Sequence, residues 1–233
     1  MAPIDLIIFD CDGVLVDSEM IAAKVEAEMF NAWGYEIDWQ DFAARFAGMT
    51  TESILQTVAD EMERPVEASV YDDIQTEIEE RLTNELEMIR GVDLALDKLE
   101  TPRCICSNSS DERLAMMLRK VGLLDRFKPY IFSSRSVGDK EPKPSPSVFK
   151  FALSEFGAEG RNAVVIEDSH HGVAGARAAG CRVVGFTGAG HTYPGHAEQL
   201  MDAGAETVIA KMSDLPATLD AMAQWDGMGD GDI

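Results

Sequence analysis

Basic side chains are scarce in this sequence: 20 Lys and Arg stand against 42 Asp and Glu in 233 residues, a formal charge of −22. So negative a surface repels nucleic acid and anionic membranes, which sets both aside as partners. An anionic small molecule meets the same repulsion and needs cations held locally, from a metal ion or one or two lysines. Cysteine is sparse too. The four cysteines, Cys11, Cys104, Cys106 and Cys181, lie in apolar runs, and Cys104 and Cys106 share a face if their segment is a strand. That spacing suits neither a zinc knuckle nor a redox pair, so they read as small buried residues in a reducing compartment. No run approaches the ~20 apolar residues needed to span a bilayer. Asp5, Asp10 and Asp12 interrupt the first apolar stretch, so it is no secretory signal. Repeats and low-complexity linkers are missing as well. The expectation is a soluble, cytoplasmic protein, a monomer or small homo-oligomer.

Hydrophobic residues make up 45% of the chain, enough for a real core. The run Leu6-Ile7-Ile8-Phe9 ends in Asp10-Cys11-Asp12-Gly13 and reads as a buried strand entering a turn. Similar runs recur at residues 103–106, 163–166 and 182–186, with weaker ones at 130–132 and 207–209. Helical patterns lie between them, at 112–121, 147–156 and 173–179, each followed by a glycine (Gly122, Gly157, Gly180) that can stop a helix. Strands alternating with helices predict a parallel sheet covered on both faces. Residues 18–90 break the alternation: helical stretches at 19–33, 51–63 and 70–87 carry no convincing strand. The chain is therefore expected to be an α/β protein, a Rossmann-like core of residues 1–17 and 91–233 with an all-helical cap of residues 18–90. Gly91 marks the return to the sheet, and residues 226–233 read as a frayed tail.

In open α/β sheets ligands collect at the carboxyl ends of strands, and four polar clusters fall there. Asp10 and Asp12 form an Asp-x-Asp pair after the first strand. One such carboxylate can attack phosphorus while the other moves protons, although calcium loops and surface turns use the same pattern. Ser107-Asn108-Ser109-Ser110 precedes a helix, where hydroxyls and backbone N–H groups suit a phosphate and a serine suits an N-cap. Lys140-Glu141-Pro142-Lys143-Pro144-Ser145-Pro146 can hold a lysine rigidly against an anion, or form a solvated turn. Glu167-Asp168-Ser169 sets two carboxylates side by side, a pair that needs a cation unless it caps the next helix.

Taken in order and spacing, these clusters resemble the haloacid dehalogenase-like (HAD) hydrolase superfamily. Residues 9–19 (Phe-Asp-Cys-Asp-Gly-Val-Leu-Val-Asp-Ser-Glu) look like its first motif, Ser107-Asn108 its second, Lys143-Pro144 its third, and Glu167-Asp168-Ser169 with Gly172 its fourth. The helical insertion is similar to the cap of the β-phosphoglucomutase-like branch. The resemblance implies Asp10 as nucleophile and Asp12 as general acid/base. It implies Mg2+ held by Asp10, the Asp12 carbonyl and Asp168 with support from Glu167. Ser107 and Asn108 would bind the phosphoryl group, and Lys143 rather than Lys140 would neutralise it. Ser147 departs from that branch, which has Asp there, a change that touches helix capping more than chemistry.

Dehalogenases of the superfamily lack an acid at the position of Asp12, since a halide leaves without a proton. Asp12 therefore favours phosphoryl transfer to or from an alcohol. A mutase of this branch carries a cap histidine where this chain has Ala22, and a cap arginine where it has Thr51. Water is then the expected acceptor. Residues 84–91 and 101–108 are similar to sugar-phosphate phosphatases such as 6-phosphogluconate phosphatase. The expectation is a Mg2+-dependent phosphatase of a small phosphorylated sugar or sugar acid. A hexose-phosphate mutase and a catalytically idle binding protein are the alternatives. Arg45, Thr51 and the loop Gly48-Met49-Thr50-Thr51 are candidate cap contacts. His170 and His171 follow the fourth motif, with a helix start as the expected role and approach to the site as the alternative, and residues 190–196, with His191 and Tyr193, receive no role.

Overall fold

The structure is a computed structural model that describes residues 4–46, 49–65 and 69–224. In chain order, β1 (Leu6–Phe9) is followed by four helices: α1 (Ser18–Trp33), α2 (Trp39–Arg45), α3 (Thr51–Glu61) and α4 (Ser69–Glu85). Next come α5 (Val92–Asp97), β2 (Arg103–Ser107), α6 (Asp111–Lys120), α7 (Leu124–Phe127) and β3 (Ile131–Ser133). The described residues continue with α8 (Ser147–Phe156), β4 (Ala163–Glu167), α9 (His170–Ala178), β5 (Arg182–Phe186), α10 (His196–Asp202), β6 (Thr207–Ile209) and α11 (Leu215–Gln224).

The six strands among the described residues pair in parallel, in the order β3-β2-β1-β4-β5-β6. This is the expected α/β sheet, and the order reverses between β1 and β4, where a crevice opens at the carboxyl ends. Ile7 and Phe9 face one apolar cluster, Leu6 and Ile8 the other, as alternation along a strand requires. Cys104 and Cys106 share the second cluster, and all four cysteines are buried free thiols. Gly122, Gly157 and Gly180 do end helices, at positive φ of 77, 60 and 83°.

The helices α1–α4 lie between β1 and β2 with no named strand among their described residues, as the sequence pattern predicts. Leaving and returning segments are laced together. Asp17 N–H donates to the Glu87 carbonyl at 3.1 Å and Ile89 N–H to that of Leu15 at 3.0 Å, around an antiparallel bridge between Val16 and Met88. Phe30 of α1 stacks on Phe42 of α2 at 5.6 Å, which gives the inserted helices apolar packing of their own. The return differs from expectation. After Gly91 the chain first forms α5 and reaches the sheet only at Arg103. The short helices α2, α5, α7 and α10 span too few turns to show a period in the sequence. Gly48 and residues 226–233 lie outside the described residues. No helix among the described residues is long and apolar enough to cross a membrane.

Candidate active site

Asp10 follows β1 directly, and its N–H donates to the Ile166 carbonyl at 2.9 Å, so it leaves the sheet beside Glu167 at the end of β4. The loop between β3 and α8 brings Lys143 to both. Its ammonium lies 2.6 Å from Asp10 Oδ1 and 2.9 Å from Glu167 Oε2. The backbone around this lysine is pinned: Lys143 N–H donates to Asn108 Oδ1 at 2.8 Å, and the Ser134 hydroxyl to the same oxygen at 2.9 Å. Asn108 therefore holds the Lys143 loop with its side-chain oxygen. Lys140, by contrast, is exposed and does not line the site.

Asp12 faces a different set of partners. Its Oδ1 accepts from the Ser18 hydroxyl at 2.7 Å, and its Oδ2 from those of Ser109 at 2.8 Å and Ser107 at 3.2 Å. Ser110, not these, caps α6, accepting from Arg113 N–H at 3.3 Å. The four polar residues after β2 thus divide: Ser107 and Ser109 on Asp12, Asn108 on the lysine loop, Ser110 on the helix. Ser18 and Ser109 as partners of Asp12 were not singled out from the sequence.

One oxygen each from Asp10, Glu167 and Asp168 lies within 4.8 Å of the others, and all three residues are buried. Burial raises the carboxyl of Asp10, with Glu167 and Asp168 adding to it against the pull of Lys143; burial raises that of Glu167 too, where Lys143 opposes it and Asp168 adds to it. The same negative neighbours outweigh the burial of Lys143 and hold it firmly charged. Three buried carboxylates against one ammonium leave a surplus of negative charge, and the donors are hard oxygens. The residues fit Mg2+. The Asp12 carboxylate is outside this cluster, turned to its three hydroxyls, so only its backbone is left for the metal role the sequence assigned it. Gly13 makes the approach possible: at φ +70°, a Cβ there would stand 1.8 Å from Asp168 Oδ2.

Further side chains complete the surroundings. His191 Nε2 lies 3.1 Å from Asp168 Oδ2, and His196 Nε2 lies 2.6 Å from the Asp168 carbonyl oxygen. Burial opposes the charge on His191, but Asp168, Glu19 and Asp17 carry its pKa up to about 9. The unassigned loop after β5 is therefore part of the site, a placement with no periodic signal in the sequence. His170 and His171 begin α9 and also line the cavity at the strand ends, behind the cap residue Ser169, whose hydroxyl accepts from Gly172 N–H at 3.0 Å and donates to Glu167 Oε1 at 2.5 Å.

The carboxylates open into a cavity of about 710 Å3, walled by the strand ends on one side and the inserted helices on the other. Thr51 and Ala22 line it; so do Glu26, Gln75 and Phe42. Arg45 does not line it. That guanidinium is held by Glu61 and the Tyr35 hydroxyl, so in this structure Arg45 is not brought together with the other candidate site residues.

A lysine-neutralised carboxylate beside a metal-ready cluster, under a covering cavity, defines a hydrolase of phosphoric monoesters. The chain belongs to the haloacid dehalogenase-like hydrolase family, whose model matches residues 7–186. It is 28% identical over 198 residues to the 6-phosphogluconate phosphatase of Escherichia coli K12, covering 83% of this chain and 87% of that protein. A conserved haloacid dehalogenase-like protein of unknown function from Agrobacterium tumefaciens has the same fold with a TM-score of 0.91 and 54% identity, covering 94% of this chain and 99% of that one. An HAD family hydrolase from Deinococcus radiodurans, solved with bound phosphate and sodium, gives a TM-score of 0.84 and 32% identity over 95% and 97% of the two chains.

Proposed function

We propose that this protein is a Mg2+-dependent phosphatase of a small sugar phosphate, acting through an aspartyl-phosphate on Asp10. The observation that carries this reading is the buried triad of Lys143 with Asp10 and Glu167, set beside the hydroxyl-held Asp12. Asp10 attacks phosphorus, the ester oxygen leaves as an alcohol with a proton from Asp12, and the phosphoryl group stays on the Asp10 carboxylate. Water then attacks that phosphorus, gives its proton to Asp12, and releases phosphate and free Asp10. Ser107 and the backbone after it bind the phosphoryl oxygens, with Lys143 balancing their charge. Asp10, Asp168 and the Asp12 carbonyl, with Glu167 behind, would hold magnesium, which would supply positive charge for an anionic ester in so acidic a protein. Residues 18–90 serve as a cap domain over 1–17 and 91–233, closing to keep bulk water out. The free buried cysteines fit a cytoplasmic setting.

Water is favoured as the acceptor because the helical wall of the cavity presents no Lys, Arg or His among its described residues. A mutase would need such a grip for its second phosphate. The relative's name supports a sugar phosphate as substrate. Phosphate release from a panel of sugar phosphates, with and without Mg2+, tests the proposal. No release from any of them by the intact enzyme overturns it. Isomerised product without free phosphate replaces it with the mutase. Metal-dependent binding without turnover, lost in Asp168→Ala, replaces it with a binding protein.

A further inference from the structure

The cations of the cavity stand on one side. Lys143, Arg113 and Arg135 all belong to the core, beside the carboxylates of Asp10, Asp12, Glu167 and Asp168, whereas the inserted helices contribute Glu19, Glu26 and Glu52 and, among their described residues, no Lys, Arg or His. Glu26 is the unusual one. It is only 7% exposed, lies on α1 one turn beyond Ala22, and has no part in the phosphoryl chemistry. Its Oε1 accepts from the Thr51 hydroxyl at 2.8 Å, and Gln75 Nε2 donates to that hydroxyl at 3.3 Å. Around these three polar groups the wall is apolar: Ala22, Phe42, Ile54 and Ile78. Isolated polar groups in an apolar wall fix which end groups a ligand can bring there. Arg135 does not offset Glu26. It stands at the exposed rim with Nε donating to the Asn108 carbonyl at 2.9 Å, close enough to Glu52 to interact with it.

We infer that Glu26, with Thr51 and Gln75, selects substrates whose end remote from the phosphate is an uncharged, hydroxyl-bearing group and rejects those ending in a carboxylate or second phosphate. This rests on the phosphatase reading above and narrows it to neutral sugar and alditol monophosphates. The reason is chemical. A hydroxyl donates to the Glu26 carboxylate and accepts from the Gln75 amide, whereas an anion meets a like charge with no cation among the described residues of the same wall to balance it. A site that hydrogen-bonds a substrate hydroxyl discriminates strongly, and like-charge opposition adds to it. The inference parts from the sugar acid named for the relative from Escherichia coli.

Sorbitol 6-phosphate and 6-phosphogluconate make the decisive pair, since they share six carbons and one phosphate and differ at the far end as hydroxymethyl against carboxylate. At pH 8 with Mg2+, kcat/KM is expected to favour sorbitol 6-phosphate by at least about 100-fold. Glu26→Gln is expected to narrow that preference at least about 10-fold. The ratio cancels any loss of folded enzyme, and the wild-type arm needs no variant at all. Equal or better turnover of 6-phosphogluconate by wild type overturns the inference, as does a ratio that Glu26→Gln leaves unchanged. 4-Nitrophenyl phosphate, which has no polyol end, separates the two levels. If it is hydrolysed while the preference is missing, only the selectivity assignment fails. If neither these three nor any member of the sugar-phosphate panel releases phosphate, the phosphatase reading fails and takes this one with it.

Discussion

The Lys143 ammonium sits 2.6 Å from Asp10 Oδ1, although 133 residues separate them in the chain. Both side chains are buried, and Glu167 completes the contact from the other side. Removing the ammonium leaves the carboxylates buried together without their counter-charge. Lys143→Ala is therefore expected to lower stability by about 3–5 kcal/mol in metal-free buffer. Urea denaturation measures this, and Mg2+ in excess should restore part of the loss. Turnover is expected to fall by about 100-fold or more, because the same ammonium balances the phosphoryl charge. Lys143→Arg should not rescue it, since a rigid planar guanidinium does not fit a slot shaped for a point charge.

Asp12 and Asp168 differ in what they touch, and their variants should differ in kind. Asp12 is held by three hydroxyls and its carboxylate lies outside the buried cluster; Asp168 lies within it. Asp12→Asn is expected to cut kcat by about 100- to 10,000-fold while keeping the Mg2+-dependent rise in melting temperature. Asp168→Asn should lose that rise along with activity. A thermal shift titrated with Mg2+ on both variants decides the matter. A lost response in Asp12→Asn would put its carboxylate on the metal.

Much of this arrangement was legible in the sequence, for reasons particular residues make clear. β1 and β4 are short, wholly buried apolar runs, and each ends in carboxylates, so their ends could be placed to within a residue. Lys143 could be separated from Lys140 only through the resemblance to the family, since nothing local shows which lysine reaches Asp10. Other parts carried no signal. Glu26 lies on a helix that also bears Glu19 and Glu28, and only packing makes one of the three a buried wall residue. Arg45 belongs to a seven-residue helix, too short to show its face, and its partner Glu61 comes from another helix. His191 reaches Asp168 from an irregular loop, where no period exists to read. Ser18 and Ser109 look like any other serine until the fold brings them to Asp12.

Gly13 offers a test of how closely Asp168 must approach. The residue has a φ of +70°, and an added Cβ would lie 1.8 Å from Asp168 Oδ2 and 2.9 Å from His191 Cε1. Alanine there carries a backbone cost of about 1–2 kcal/mol before any clash is counted. Asp168 then has to swing away from Asp10. Gly13→Ala is expected to weaken Mg2+ binding and activity together by at least about 10-fold. Isothermal titration with Mg2+ checks the first and phosphate release the second. Undiminished Mg2+ affinity would mean that the carboxylate has room the structure does not show.

Glu26 should also leave a mark on stability that is separate from catalysis. Burial pushes its carboxyl from the ordinary 4.5 up to about 7; the Thr51 hydroxyl opposes this and Glu52 adds to it. A carboxyl with a folded pKa above its unfolded value holds its proton more tightly in the native state. Between about pH 4.5 and 7 the folded chain then binds more protons than the unfolded one, so this group's contribution falls as pH rises. It is fully present below pH 4.5 and gone above pH 7. The penalty at pH 8 reaches up to about 3 kcal/mol. Glu26→Gln, which keeps the shape and removes the charge, is expected to be more stable relative to wild type at pH 8 than at pH 5. Comparing wild type with the variant cancels the other titrating groups, Asp10 and Glu167 among them. Urea midpoints at the two pH values give the answer, and a difference independent of pH would show that Glu26 is ionised in the native cap without cost.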